Sequence, residues 1–261
     1  MKHYFSLITL LITISSLSQQ QKGIVYYGYI EALGIGNAKG PESNAYILFN
    51  KDQSYYVTAK DSLEKAEKLN EGKTYENEGE SKAIYLGMKA SSQGDQVVYN
   101  IKKNTMWSNF LCRKQVYVKE ITPKINWKIE KETKKIGSFY CKKATSFFRG
   151  RNYTAWFIPE ITVPFGPWKL NGLPGLIVEA YDTNKEVYWF LKSIEYPTKS
   201  KENIKYISVP KGNSFITYDG YKLFQIDQKN ISADKLKMMQ KKFPDVVFGN
   251  PKLSNMFVEF E

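Results

Sequence analysis

Short runs rich in tyrosine, phenylalanine and valine, each ended by a polar or Gly/Asn break, recur along nearly the whole chain. This pattern constrains the fold more than any other feature. Aromatic and β-branched side chains suit a pleated, half-buried surface, and aromatics make up 15% of the residues. The runs are Gly23–Ala32, Asn44–Asn50, Ser54–Lys60, Ala83–Met88, Gln96–Lys102, Gln115–Glu120 and Ile125–Glu130, then Ile136–Arg149, Asn152–Ile158, Gly175–Asp182, Glu186–Tyr196 and Ile204–Val209. Some alternate as a half-buried strand does: Val187, Trp189 and Leu191 fall on one face. Short connections without regular intervening helices argue for antiparallel pairing over βαβ units. The expected fold is therefore mainly β, a single curved antiparallel sheet or half-barrel with one or two helices. The chain shows no internal repeat and no Pro- or Ser-rich linker, so residues 19–261 are expected to form a single β-rich domain.

Two segments depart from the strand pattern. Lys60–Lys82 is dense in charge, and Asp61 could cap a short helix through Leu63–Leu69. Ser232–Phe243 is the stronger helix, with Ser232 as cap, Asp234 in its first turn, lysines later and Pro244 as the stop. Leu236, Met239 and Phe243 mark one face of it, expected to pack on the core and not to form a partner groove, and Met256–Phe260 could add a last strand.

Residues 1–18, MKHYFSLITLLITISSLS, have the order of a signal peptide. Lys2 is the positive start, Phe5 to Leu17 the apolar stretch, and Ser16-Leu17-Ser18 the small-x-small cleavage pattern. The stretch is shorter than the roughly 20 apolar residues that span a bilayer. The expectation is cleavage after Ser18 and an exported protein, in the periplasm or outer envelope, with no stable membrane span. In an oxidising compartment Cys112 and Cys141 are expected to pair, for about 3–4 kcal/mol of stabilisation, with two separate buried thiols as the alternative.

The single histidine, His3, lies within the leader. A mature chain without imidazole excludes Ser-His-Asp and Cys-His mechanisms and every histidine-containing metal site, and two cysteines cannot build a four-thiolate zinc site. No Asp-x-Asp-x-Asp-Gly loop is present: Asp219-Gly220 and Asp227 are isolated, so no metal and no other cofactor is expected. The net charge of +12 comes from lysine, apart from Arg113, Arg149 and Arg151. Phosphate readers favour the planar arginine fork, and these lysines are scattered, so nucleic acid is not an expected partner; an anionic outer surface or acidic glycan stays open.

Cys141–Asp182 holds the densest information. Ala144–Phe148 and Tyr153–Ile158 form an expected hairpin through Arg149-Gly150-Arg151-Asn152, with Gly150 and Asn152 in left-handed conformations. Arg151 beside the aromatic strand carrying Trp156 could grip a carboxylate or phosphate, or pin the hairpin by pairing with an acid or stacking on a ring. Pro, Gly and Asn then crowd the stretch from Pro164 to Gly175, although Phe165, Trp168, Leu170 and Leu173 make it apolar. Such a loop, Phe165-Gly166-Pro167-Trp168 onward, either packs as a lid on a sheet or presents a binding surface. Leu173-Pro174-Gly175-Leu176 fits a type II turn leading through Ile177 into a buried strand.

This segment resembles the GLPGLI family, exported proteins of Bacteroidetes bacteria, whose motif reads here Gly172-Leu173-Pro174-Gly175-Leu176-Ile177. Lys135-Ile136, Cys141 to Ala144, Gly150-Arg151, Ala155-Trp156-Phe157, Gly166-Pro167 and Asp182 follow the family's order, so the likeness covers about residues 125–185. The resemblance implies export and lineage and carries over no catalytic residue. The strands over Ile136–Phe157 and the apolar loop also resemble exported half-barrels of the lipoprotein-carrier type, a likeness of fold only. Two functions follow as expectations. One is a non-catalytic exported β protein that binds an apolar small molecule or docks to an outer-membrane protein. The other is a carboxylate-dependent hydrolase in the periplasm drawing on Glu160, Glu179 or Asp182, its carboxyls set in one cleft.

Overall fold

The computed structural model describes residues 21–34, 38–40, 42–58, 74–76, 82–84 and 94–261. The expected signal peptide, the helix proposed at Leu63–Leu69 and most of the run Ala83–Met88 lie outside these residues.

The chain builds one open antiparallel sheet of 11 strands. In chain order the strands are β1 (Gly23–Glu31), β2 (Glu42–Phe49), β3 (Gln53–Thr58), β4 (Thr74–Glu76), β5 (Lys82–Ile84), β6 (Gln96–Asn100), β7 (Thr105–Cys112) and β8 (Lys114–Ile121), followed by β9 (Lys128–Ile136), β10 (Phe139–Phe148), β11 (Arg151–Ile158), β12 (Leu176–Asp182) and β13 (Val187–Glu195). Across the sheet they lie in the order β8-β7-β6-β3-β2-β1-β13-β12-β11-β10-β9, with β4 and β5 forming a separate two-stranded ladder. Most neighbours in space are neighbours in sequence, as short connections demand.

Irregular registers at Tyr26/Tyr27, Lys142/Ala144 and Trp156/Phe157 bend the strands that carry them. The sheet curls about the loop 161–176, which meets both flanks. Trp168 packs on Phe110 of β7 at 6.0 Å between ring centroids. The Asn171 carbonyl accepts from Trp127 Nε1, just before β9, at 2.7 Å. Phe165, Leu170 and Leu173 are buried in the main core with Val25, Tyr27, Ile47, Phe157 and Trp189. The apolar loop is thus a packed lid on the inner face. Burial of Val187 and Trp189, with Leu191 packed beside them, confirms the alternation expected of β13.

The lid's turn differs from the expected one. Gly175 has φ +158, away from the +80 that a type II turn requires, and Gly172 takes the left-handed conformation at φ +88. Gly175 is needed for closeness: a Cβ there would lie 2.3 Å from the Ile158 carbonyl oxygen. In the β10–β11 hairpin Phe148 pairs with Arg151, leaving the two-residue turn Arg149-Gly150 at φ +46 and +81. Asn152 lies inside β11, so it is not a turn residue. The turn's double positive φ matches the twist of the flanking strands.

The expected disulfide does not form. Cys112 and Cys141 are both free. They sit on β7 and β10, second and tenth across the sheet, where each strand's pairing fixes its cysteine toward a different cluster. The helix begins earlier than Ser232: α1 spans Tyr218–Lys242, capped by Thr217, whose hydroxyl accepts from the Gly220 amide at 3.1 Å. Ser232 lies inside it and accepts from Arg113 Nη2 at 2.9 Å. Residues 204–209 and 256–260 form no strand. Ile204, Ile207 and Val209 instead lie on the outer face against Tyr55, Val98 and Tyr117, and the chain then bridges to β8 at Ile216. The opposite edge, β9, is a largely exposed strand rich in Lys and Glu.

Candidate functional site

Three groups of polar side chains gather at the ends of the strands, and each is built from residues remote in sequence. The first centres on Arg151, held by the first position of β11. Its Nη1 donates to Asp182 Oδ2 at 2.6 Å and Glu186 Oε2 at 2.7 Å. Nη2 donates to the carbonyls of Ser254 at 2.6 Å and Phe257 at 3.1 Å, and Nε to that of Val258 at 2.8 Å. All five guanidinium donors are used, so this side chain has no capacity left for a ligand. The Phe260 ring lies below it, 5.3 Å from Cζ. Arg151 therefore ties the C-terminal segment to the sheet, a structural role reaching beyond its own hairpin. Trp156 does not take part; its ring carries the Lys134 ammonium at 4.3 Å, and Lys134 in turn pairs with Glu179 at 2.7 Å.

The second group joins the two flanks of the sheet. Arg149, in the hairpin turn, pairs with Glu120 of β8 and with Glu259 at 2.6 Å. Lys169, in the lid, reaches Glu120 at 2.9 Å and Glu259 at 2.5 Å. None of the four side chains is more than 6% exposed. Burial would raise the Glu120 carboxyl, but Lys169 and Arg149 outweigh it and hold it below the usual carboxylate range. The Tyr218 ring of α1 lies 3.4 Å from Arg149 Cζ, and Gln225 of α1 donates to the Glu259 carbonyl at 2.6 Å. With two cations against two anions, the group is neutral and closed to solvent.

The third group gathers two carboxyls among aromatic side chains. Tyr29 donates to Glu31 Oε2 at 2.5 Å, and the Tyr29 ring stacks on Trp189 with centroids 5.2 Å apart. Trp189 Nε1 donates to the Tyr56 hydroxyl at 2.9 Å. Asp95, just before β6, accepts from the Leu111 amide at 3.3 Å, and its own amide donates to Thr58 Oγ1 at 2.7 Å. Burial, reinforced by the Glu31 charge, pushes the Asp95 carboxyl up to about 7. Burial also raises Glu31, against the pull of the Tyr29 hydrogen bond and of Arg151. For Asp95 this is the behaviour of a carboxyl able to hold or pass a proton near neutrality.

Of the carboxylates singled out from sequence, Asp182 is committed to Arg151, Glu179 to Lys134, and Glu160 is exposed. They do not come together. Glu31 and Asp95 were missed because each stands alone in sequence; only the curl of the sheet gives them a shared setting. Among the described residues no group of His, Cys, Asp and Glu is arranged to hold a metal ion.

Replacing Arg151 by Lys keeps one charge but supplies three donors where five are used, beside two acids and three carbonyls. We expect a loss of about 2–4 kcal/mol in urea unfolding, and an unchanged midpoint would refute the pinning role. For Asp95, a carboxyl raised in the folded state binds its proton more tightly there than in the unfolded chain. It therefore costs stability progressively as pH rises from about 4 to 7. Asp95→Asn should flatten that part of the pH–Tm curve, raising Tm at pH 7.5 relative to the parent and leaving pH 4 little changed. Parallel curves would show that Asp95 ionises normally.

No family model matches the chain, and no curated protein does. Among solved structures, one of PNGF-II in space group P21 is similar at a TM-score of 0.51 and 15% identity over 80% of this chain. A second, in space group C2, gives 0.46 and 14% over 76%. The chain spans 34% of the length of the first and 31% of the second. The first likeness is one of fold: an open antiparallel sheet of this shape also occurs as part of a longer protein.

Proposed function

We propose that this is a non-catalytic exported β protein that docks to an outer-membrane protein, and that the second half of α1 is the docking element. One observation carries this reading: α1 leaves the body of the protein. Its buried side chains, Tyr221, Gln225 and Gln228, all lie in its first half. Beyond them Ile231, Met238, Met239 and Phe243 are exposed, followed by Val246 and Val247, with Met238 72% and Val247 94% exposed. A helix that keeps its apolar side chains in water over several turns, while the inner face of the sheet is filled by its own lid, is suited to a partner surface. Lys229, Lys235, Lys237, Lys241 and Lys242 surround these residues, so the complementary surface is apolar with a carboxylate rim. The GLPGLI resemblance and the leader support the exported setting. The apolar-ligand alternative draws no comparable support, because the lid's side chains occupy the inner face.

The test is co-sedimentation of the purified chain with outer-membrane vesicles. Saturable binding is expected, lost in a Met238→Asp/Phe243→Asp double variant and abolished by protease treatment of the vesicles. Equal sedimentation of parent and variant, or binding that survives the protease, would refute docking through α1.

The Asp95 and Glu31 carboxyls favour a second reading, a hydrolase working by carboxylate acid–base chemistry. Under it, chromogenic glycosides or esters should turn over with a rate that depends on a group titrating near pH 7, and Asp95→Asn should abolish both rate and dependence. Absence of turnover by the parent chain across such a panel would rule it out.

A further inference from the structure

The outer face of the β9–β12 region carries a feature that the docking reading leaves unused. A shallow groove of ≈ 400 Å³ is lined by residues that include Asn126, Lys128, Thr145, Phe147, Asn152 and Thr154. Register places these together: Phe147 opposes Asn152, and Thr145 opposes Thr154 on one side and Lys128 on the other. Phe148 and Arg151 turn inward and are buried, so Phe147 and Asn152 face out, and Phe147 is 68% exposed.

Around this ring the lining is uncharged, apart from Lys128, which pairs with Glu130 at 3.0 Å. Thr145 and Ser146 have intramolecular acceptors, whereas the side-chain amides of Asn126 and Asn152 and the Thr154 hydroxyl have none among the described residues. They are donors and acceptors left facing water beside an apolar plate. Beyond Asn152 and Thr154 of β11 lies a separate aromatic row: Tyr181, opposite Thr154, meets Tyr188 edge-on at 5.6 Å, and Tyr188 meets Phe190 at 5.3 Å, with the Lys185 ammonium over Tyr181 and Tyr188.

A ligand suited to this surface must offer an apolar face to a phenyl ring and a fringe of hydroxyls to amides. A pyranose ring does both, with its axial C–H bonds on one side and its hydroxyls around the rim. A phosphate chain would need free cations, and an apolar helix would need more than one apolar side chain in the groove; the groove supplies neither. We propose that this groove is a carbohydrate-binding subsite for an uncharged hexose ring of a polysaccharide, with Phe147 as the stacking platform and Asn126, Asn152 and Thr154 as the hydroxyl partners. The subsite is on a different element from the helix face proposed for docking and does not depend on it.

Affinity electrophoresis through gels containing laminarin, mannan or alginate tests this. We expect retardation by at least one neutral glucan or mannan. It should weaken about tenfold in Phe147→Ala, be partly retained in Phe147→Tyr, and weaken in Asn152→Ala, with Tm unchanged because Phe147 is solvent-exposed. The α1 double variant should bind as the parent does, which separates this site from docking. The proposal is overturned if no neutral polysaccharide retards the protein. It is also overturned if Phe147→Ala and Asn152→Ala bind like the parent, or if only alginate retards it and salt abolishes the effect, which would assign the contact to the lysine surface.

Discussion

The curvature of this sheet is held by an ionic contact between its two flanks. Glu120 lies on β8, the first strand in spatial order, and Arg149 in the turn that joins the tenth and ninth. In a flat sheet these side chains would be far apart, since each strand adds about 4.8 Å. Their pairing, with Lys169 of the lid and Glu259 of the C-terminal segment on the same carboxylates, fixes how far the sheet curls. Desolvating four charges costs several kcal/mol per ion, so such a group is a poor source of net stability. What it supplies is selection: any arrangement that leaves one member unpaired in the interior is heavily penalised. Closure is reached without a barrel, and the open sheet keeps two separate edges.

Two layers depend on that closure. The lid can bury Phe165, Leu170 and Leu173 because both flanks are near enough to grip its middle, at Trp168 and at Asn171. The C-terminal segment, which lacks a strand of its own, is held through its backbone carbonyls by Arg151 and through Glu259 by the flank-to-flank contact. Two arginines separated only by Gly150 thus do different work. Arg149 sets the shape of the sheet, and Arg151 fastens the last segment over its end.

The strands were legible because alternation is a local signal, and the burial of Val187 and Trp189 follows directly from it. The lid was legible as well, since an apolar loop has few places to go. The start of α1 was not: Ser232 followed by Asp234 has the form of a cap, while the true cap at Thr217 lies fifteen residues earlier, ahead of a stretch whose hydrophobic pattern is blurred because much of the helix packs on nothing. Nor was the state of the cysteines, for compartment suggests pairing while only strand order shows Cys112 and Cys141 on opposite flanks. Glu120, Arg149, Lys169 and Glu259, like Glu31 and Asp95, share no spacing or motif. Such groups become neighbours only through long-range topology, and one sequence carries no trace of it.

The exposed strand β9 has a consequence of its own. An open sheet offers its last strand as a template on which further molecules can stack. Here that rim presents Lys128, Glu130, Glu132 and Lys134 in succession, with Glu130 and Glu132 already engaged by Lys128 and Lys143. An incoming strand would have to strip water from these charges and displace pairs already made, with little apolar area gained in return. The rim thereby acts as a guard against fibril growth, allowing an unclosed sheet to remain dispersed when crowded.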